Sequence, residues 1–515
     1  MASTRRDALR SAAFAGAGLA LSGSPGWARS RPRIARAGTF VQGVASGQPR
    51  RSSVSLWTRV TGIDGPAEVE LEVAADPGFA RVLQRERITL PADADSTVAR
   101  RVVSRRFRPD QEYFYRFSTA TTHSPVGRFK TLPPRDSRAT VRIGFWTCQD
   151  YRAGYFGQHR ALAAEDLDLV VCLGDYIYEN AGGLSRLPGR DDTTGSNHDG
   201  IAMTLADYRA KYSLYRSDPG LRALHERHAM CWLWDDHEVV NDYWRGGNAG
   251  AVVAGFAERR AAAYRAWFEH VPNPPVGGRG STRIYQTVRV GGLADLVFID
   301  DRQYRDMQPC TDTPLVPCPD AAAPGRTMLG SAQKRWLAHA LDTSSADWKV
   351  LVNGLMMMGL DQPLPGGAKF VDTWDGYDAE RAEIVGGWAS HGRSDIVVMT
   401  GDDHDNYAGT VREHGRSGRS GAVEFVVPSV TSDNTSELLG GFDAAGIAGE
   451  QNALAINPHL VYADQRHHGY CVLEVRPEAV EVVFKHAASR ADPATTVSEA
   501  ARFRVPRGRV TVERA

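Results

Sequence analysis

Hydrophobic and polar positions alternate in short runs from Phe40 to about Pro134: SSVSLWTRV, AEVELEVAADPGF, ERITL, STVARRVV, EYFYRFSTA and PVGRFKTLPP. A period of two puts every second side chain on one face of a strand. Tyr113, Tyr115 and Phe117 are therefore expected on a buried face, with Phe114 and Arg116 on the other. Such runs, separated by turn residues, predict a β-sandwich over residues 39–134, and Leu132-Pro133-Pro134 reads as the linker that closes it.

Beyond the linker the pattern changes. Continuous apolar runs of strand length (VRIGFWTC, LDLVVCLGD, AMCWLWDDHE, ADLVFIDDR, DWKVLVNG and SDIVVMTGDDH) alternate with amphipathic segments such as AERRAAAYRAWFEHV and LGSAQKRWLAHALD. Runs without alternation suit strands buried on both faces, and the amphipathic segments suit the helices that cover them. This predicts an α/β domain over 138–508. Most of its strands end in acidic, amide or thiol residues, which is where α/β sheets carry their sites.

Composition narrows the class. Of 515 residues, 42% are hydrophobic, 24% charged and 45 aromatic, which supplies a substantial core and excludes disorder as the main state. The formal charge is zero, but residues 1–37 hold seven Arg and one Asp, leaving 54 basic against 60 acidic side chains in the rest. That balance argues against specific nucleic-acid binding.

Arg5-Arg6, the uncharged SAAFAGAGLALSG and Ala35-Arg36-Ala37 read as a twin-arginine export signal over 1–37, with Gly-Trp-Ala ending at Ala28 as a competing cleavage site. The expected location is periplasmic or secreted, with the twin-arginine translocation machinery as a transient partner. Cys310 and Cys318 bracket PCTDTPLVPC and suggest a local disulfide in an oxidising compartment, whereas Cys172, Cys231 and Cys471 lie in apolar runs as small hydrophobes.

The strand ends carry the candidate chemistry. Cys148 follows VRIGFWT, Asp175 and Tyr178 sit in LGDYIYE, and Asp235, Asp236, His237 and Glu238 sit in WDDHE. Asn353 follows WKVLV, and Asp402, Asp403 and His404 sit in TGDDH. Carboxylate is a hard ligand, imidazole intermediate and thiolate soft, so the mixture suits a transition metal beside a harder cation. A single strand-end Asp is an ordinary helix cap, but six such ends in succession point to a binuclear site.

The order G-D-x-x-Y, D-D-H-E, G-D-x-H resembles the motif series of calcineurin-like metallophosphoesterases. With TCQD, LGDYIYE, WDDHEVVND and TGDDH in the four positions, it resembles the PhoD family of secreted alkaline phosphatases and phosphodiesterases. Further similar stretches run along most of the chain: FVQGVASGQP, IDDRQYRD, RTMLGSAQKRWL, WKVLVNGLMMM, EFVVPSVTS, NPHLVYAD and HGYCVLEV. The resemblance implies a fibronectin- or immunoglobulin-like β-sandwich ahead of a four-layer αββα metallophosphatase domain.

It also implies Fe3+ and Ca2+ as cofactors. Asp175 would bridge the two metals, Cys148 and Tyr178 would bind iron, and Asp402 and His404 would complete the set. Asp236 would be a calcium-side ligand, with Asn241 and Asn353 as further candidates. His237 would contact phosphate or protonate the leaving group. Arg302, in a D-x-R context, would be either a bidentate phosphate donor or a structural ion pair. Thr147, Asp403 and Gly354 depart from residues common at those positions in the family.

The activity this implies is hydrolysis of phosphate mono- or diesters by in-line attack of a metal-bound hydroxide. Small phosphate esters, or phospholipid or teichoic-acid-like diesters, would be the substrates. An iron-dependent phospholipase D is the near alternative, because its motifs are similar. An exported iron oxidoreductase is the remote one, disfavoured by the lack of Fe–S cysteine spacing and of a G-x-G-x-x-G turn.

Overall fold

The computed structural model describes residues 33–515 apart from 64, 92–94, 181–182, 249, 279, 311–316, 363–367 and 442. Arg5-Arg6 and most of the expected export signal lie outside the described residues. Residues 33–35, which the sequence places with that signal, instead begin a sheet. Arg33–Ile34 pairs with Ala67 and Glu68, and the Ala35 N–H donates to the Glu68 carbonyl.

That sheet has five strands, and its alternation follows the sequence: along Glu112–Ser118, Tyr113, Tyr115 and Phe117 are buried. It packs on strands Val44–Gly47, Ser53–Arg59 and Thr97–Val103 around Val54, Leu56, Leu71, Val73 and Phe129. These three strands also extend the central sheet of the molecule. Ser46 and Gly47 pair in parallel with Ala229 and Met230, so the two halves of the chain share one ten-stranded sheet.

Two large sheets form the middle of the molecule. In the ten-stranded sheet, Val141–Trp146, Leu169–Cys172 and Ala229–Trp232 run parallel. In the seven-stranded sheet, Ala294–Phe298, Trp348–Asn353 and Ile396–Thr400 do the same. Their inner faces meet through Ile143, Phe145, Val171 and Leu473 on one side and Leu296, Val350, Met399 and Phe425 on the other. Each strand is therefore buried on both faces, which is why its sequence is continuously apolar.

Helices cover the outer faces. Gln158–Ala164, Leu205–Tyr215, Pro219–Arg227 and Phe256–His270 lie over the first sheet. Gly330–Thr343 and Asp378–Ser390 lie over the second, completing an αββα stack. Cys310 and Cys318 are disulfide-bonded, and Cys172, Cys231 and Cys471 are buried free thiols. The two sets of parallel strands end on the same side, and a bridge between Thr147 and Ser429 joins the sheets there.

Candidate metal centre

Around that junction the backbone is held in rare conformations. Twelve non-glycine residues among those described have positive φ, and four of them are Cys148 (54°), Asp175 (53°), Asp402 (65°) and His404 (70°). Each such residue costs of order 1–3 kcal/mol and persists only where its surroundings over-determine it. Here they do. The Cys148 carbonyl accepts from the N–H groups of Val430, Thr431 and Ser432 and from Ser432 Oγ. The buried Glu238 carboxylate accepts from the N–H groups of Asp175, Tyr176 and Asp235. Gly174 has φ 112°, and a Cβ there would lie 2.4 Å from Asp235 Cβ, so no other residue fits the G-D turn.

The result is a compact donor set. Cys148 Sγ donates to Asp175 Oδ2 at 3.4 Å and the Tyr178 hydroxyl donates to the same oxygen at 3.1 Å. His404 Nε2 lies 3.3 Å from the Tyr178 hydroxyl, while its Nδ1 is paired with the Asp433 carbonyl at 2.8 Å. The second pairing fixes the ring so that Nε2 faces the cluster. Cys148, Asp175 and His404 can share one ion, and Asp175 also belongs to a group with Asp236 and His237. A third group joins Asp235, Asp236 and Asp402.

Electrostatics tests whether a cation suits the first group. Burial pushes Asp175, the Cys148 thiol and the Tyr178 phenol well up, with neighbouring negative charge adding to it, and pushes His404 down to about 4. Without a positive charge these groups favour their neutral forms. A multivalent cation reverses that preference for the acids and is matched by the neutral imidazole, so the donor set fits a metal.

His237 is held differently. Its ring stacks on Tyr178 at 4.0 Å, and Nδ1 lies 2.6 Å from Glu179 Oε2. Burial opposes its charge, but Glu179, Asp236 and Asp175 overcome that and hold the imidazolium well above its usual range. Nε2 is left for a ligand.

Three further sequence-predicted residues have partners of their own. Arg302 is fully buried, and its guanidinium is paired with Asp235, Asp372 (2.5 Å), Asp402 (2.7 Å) and Asp236 (3.3 Å). Each of its three guanidinium nitrogens faces a carboxylate and the side chain is buried, which is the arrangement of a structural ion pair. Asn241 is exposed and meets the site only through its N–H, which donates to Glu179 Oε1. Asn353 is buried, its Nδ2 donating to the Leu355 carbonyl and to Thr400 Oγ1, with Oδ1 lacking a hydrogen-bond partner.

The sequence reading missed Glu179, Ser432, Asp433 and Asp372. Glu179 follows Tyr178 directly, so its place in LGDYIYE was a signal. The other three come from loops whose composition does not distinguish them.

The family model described as PhoD-like phosphatase matches residues 143–484, and the model of its N-terminal domain matches residues 26–133. Alkaline phosphatase D of Bacillus subtilis (strain 168) is 33% identical over 482 residues, covering 90% of this chain and 80% of that one. A solved PhoD structure superposes with a TM-score of 0.82 at 30% identity, covering 92% of each chain. A purple acid phosphatase from yellow lupin seeds has the same fold, with a TM-score of 0.56 at 11% identity over 90% of this chain and 74% of that one.

Proposed function

The chain belongs to the PhoD-like phosphatase family and is a phosphoric ester hydrolase, and on that premise we propose that it is an exported enzyme cleaving phosphate mono- or diesters at a ferric–calcium centre. The observation that carries this reading is the convergence of a thiol and a phenol on one oxygen of Asp175, with an imidazole nitrogen beside them.

Cys148, Tyr178 and His404 would hold iron together with Asp175, because thiolate and phenolate offset a trivalent charge that neutral donors would hold poorly. Asp236 and Asp402 would serve the calcium side with Asp175, and Arg302 between them limits the net negative charge there. The bound cations would neutralise the phosphoryl oxygens and acidify a water for in-line displacement.

The protein's own part is positioning and proton supply. Glu179 fixes the His237 ring, so Nε2–H can donate to a phosphoryl oxygen or to the departing alkoxide. The stacked Tyr178 ring limits rotation of that imidazole.

Export by the twin-arginine route follows from Arg5-Arg6 and the uncharged stretch after it. Cleavage after Ala28 would keep the paired residues 33–35, whereas cleavage near residue 37 would remove them from the sheet. The mature protein should therefore begin near Arg29.

The test is metal analysis of the exported protein paired with aryl phosphate monoesters, diesters and phosphatidylcholine as substrates. Iron and calcium with release of nitrophenol, abolished in Asp175→Asn, is the expected result. Choline release from phosphatidylcholine faster than nitrophenol release would replace the reading with a phospholipase D. Full turnover in Asp175→Asn at unchanged metal content would remove the proposed centre.

A further inference from the structure

A second cluster of ligand-type side chains lies apart from the centre above and shares no residue with it: Asp464, His467 and His486, whose donor atoms all lie within 4.8 Å of one another. Asp464 ends strand Leu460–Asp464 at the edge of the seven-stranded sheet, and His486 lies in Ala479–Ala487 of the ten-stranded sheet. His467 stands on the loop between Asp464 and the next strand, so the cluster spans the two sheets.

The neighbours prepare His486 as a ligand. Asn406 Nδ2 donates to the carbonyls of Asp464 (2.9 Å) and His467 (3.1 Å), which fixes the amide with Oδ1 toward His486 Nε2 at 3.0 Å. Oδ1 can only accept, so His486 carries its proton on Nε2 and Nδ1 presents a lone pair. That lone pair lies 4.0 Å from Asp464 Oδ2. Two electron-rich atoms facing each other at this distance are stabilised by a positive charge between them. An imidazole whose other nitrogen is tied to an oxygen is the usual arrangement of a metal-bound histidine.

The other two ligands are equally set. Asp464 Oδ1 accepts from the N–H groups of Arg466 and His467, each at 3.1 Å, and His467 Nδ1 lies 2.8 Å from Oδ2. The rings of His467 and His486 stack at 4.8 Å and 13°, so their in-plane lone pairs lie in nearly parallel planes and one ring must turn for both to meet at one ion.

We propose that Asp464, His467 and His486 form a separate site for a borderline first-row dication of the Zn2+ class, clipping the two sheets together. Two imidazoles and one carboxylate suit Zn2+ rather than Ca2+ or Mg2+, which prefer oxygen alone. Tetrahedral bonds of about 2.0–2.1 Å put ligand atoms about 3.4 Å apart, so His486 Nδ1 and Asp464 Oδ2 must approach while His467 Nδ1 draws back from the carboxylate, each by roughly 0.6 Å. His467, whose side chain is 42% exposed and sits on a loop, can supply its share by turning its ring. The ion takes the place of the proton between His467 Nδ1 and Asp464, and water fills the remaining position.

The test is calorimetric titration of Zn2+ into the protein as purified, with all metals counted by mass spectrometry before and after. The expected result is one added equivalent of Zn2+ with iron and calcium undisturbed and a higher melting temperature. In His467→Ala that affinity should fall at least about tenfold and the melting shift should vanish. His467→Ala changes a half-exposed loop residue, and its far-UV spectrum verifies folding. Uptake should persist in Cys148→Ser, which separates this site from the proposed catalytic centre. No added equivalent in the wild type, equal uptake in His467→Ala, or loss of uptake in Cys148→Ser would each overturn the proposal.

Discussion

The Tyr178 ring lies flat against His237, centroids 4.0 Å apart and planes at 28°, while its hydroxyl reaches Asp175, His404 and Ser432 on the other side. One side chain thus joins the proposed iron ligands to the proposed proton donor. Tyr178→Phe keeps the ring and its stacking and removes only the hydroxyl. Turnover should fall by roughly 10²-fold with the melting temperature nearly unchanged. In iron-loaded protein, phenolate-to-iron charge transfer should be lost or shifted in the visible spectrum. An unchanged band at equal iron content would exclude Tyr178 as the donor.

Glu179 acts through His237. Its carboxylate opposes the effect of burial and helps keep the imidazolium charged above its usual range. Glu179→Gln removes that charge, so His237 loses its proton at lower pH. The alkaline limb of kcat should move toward neutrality and kcat should fall 10- to 100-fold, with KM little affected. A uniform fall at every pH would mean that Glu179 only supports the fold.

Arg302 separates a structural role from phosphate binding. Arg302→Met leaves the buried Asp235 without its cation and removes one from Asp236, Asp372 and Asp402, which should cost about 3–5 kcal/mol of stability. Chemical denaturation measures this directly. A variant of wild-type stability with a raised KM would restore Arg302 as a phosphate ligand.

Acid should destabilise the fold through buried neutral histidines. Burial pushes His159 down to about 3 and His228 and His459 to about 4, against about 6.5 when unfolded. Below pH 6.5 the unfolded chain binds protons that the folded one refuses. The stability these groups contribute is thus complete above pH 6.5 and is lost as pH falls toward 4 and 3. His459→Gln, which can still donate to the Gly359 carbonyl, should reduce the slope of stability against pH by up to about 1.4 kcal/mol per unit in that window. Parallel curves for variant and wild type would show that His459 does not contribute.

Local order along the chain was enough to establish the strands and the chemistry at their ends. The alternation of Tyr113, Tyr115 and Phe117 predicted a half-buried strand, because a period of two leaves a face no choice. Cys148, Asp175, Asp236, His237, Asp402 and His404 were legible because each follows a continuous apolar run that must be a buried strand. Only the tertiary structure decided what these residues meet. Arg302 reads the same in sequence whether it faces solvent or four carboxylates, and only the assembly of the two sheets buries it. Ser432 and Asp433 belong to the site because their loop crosses between the sheets and closes on Cys148 and His404. Strand Val44–Gly47 was expected within the β-sandwich, yet it also pairs with Ala229–Trp232, because a strand's hydrogen-bonding edges carry no side-chain pattern that specifies both neighbours. Spacing specifies which face a residue occupies, and contacts between distant segments specify its partner.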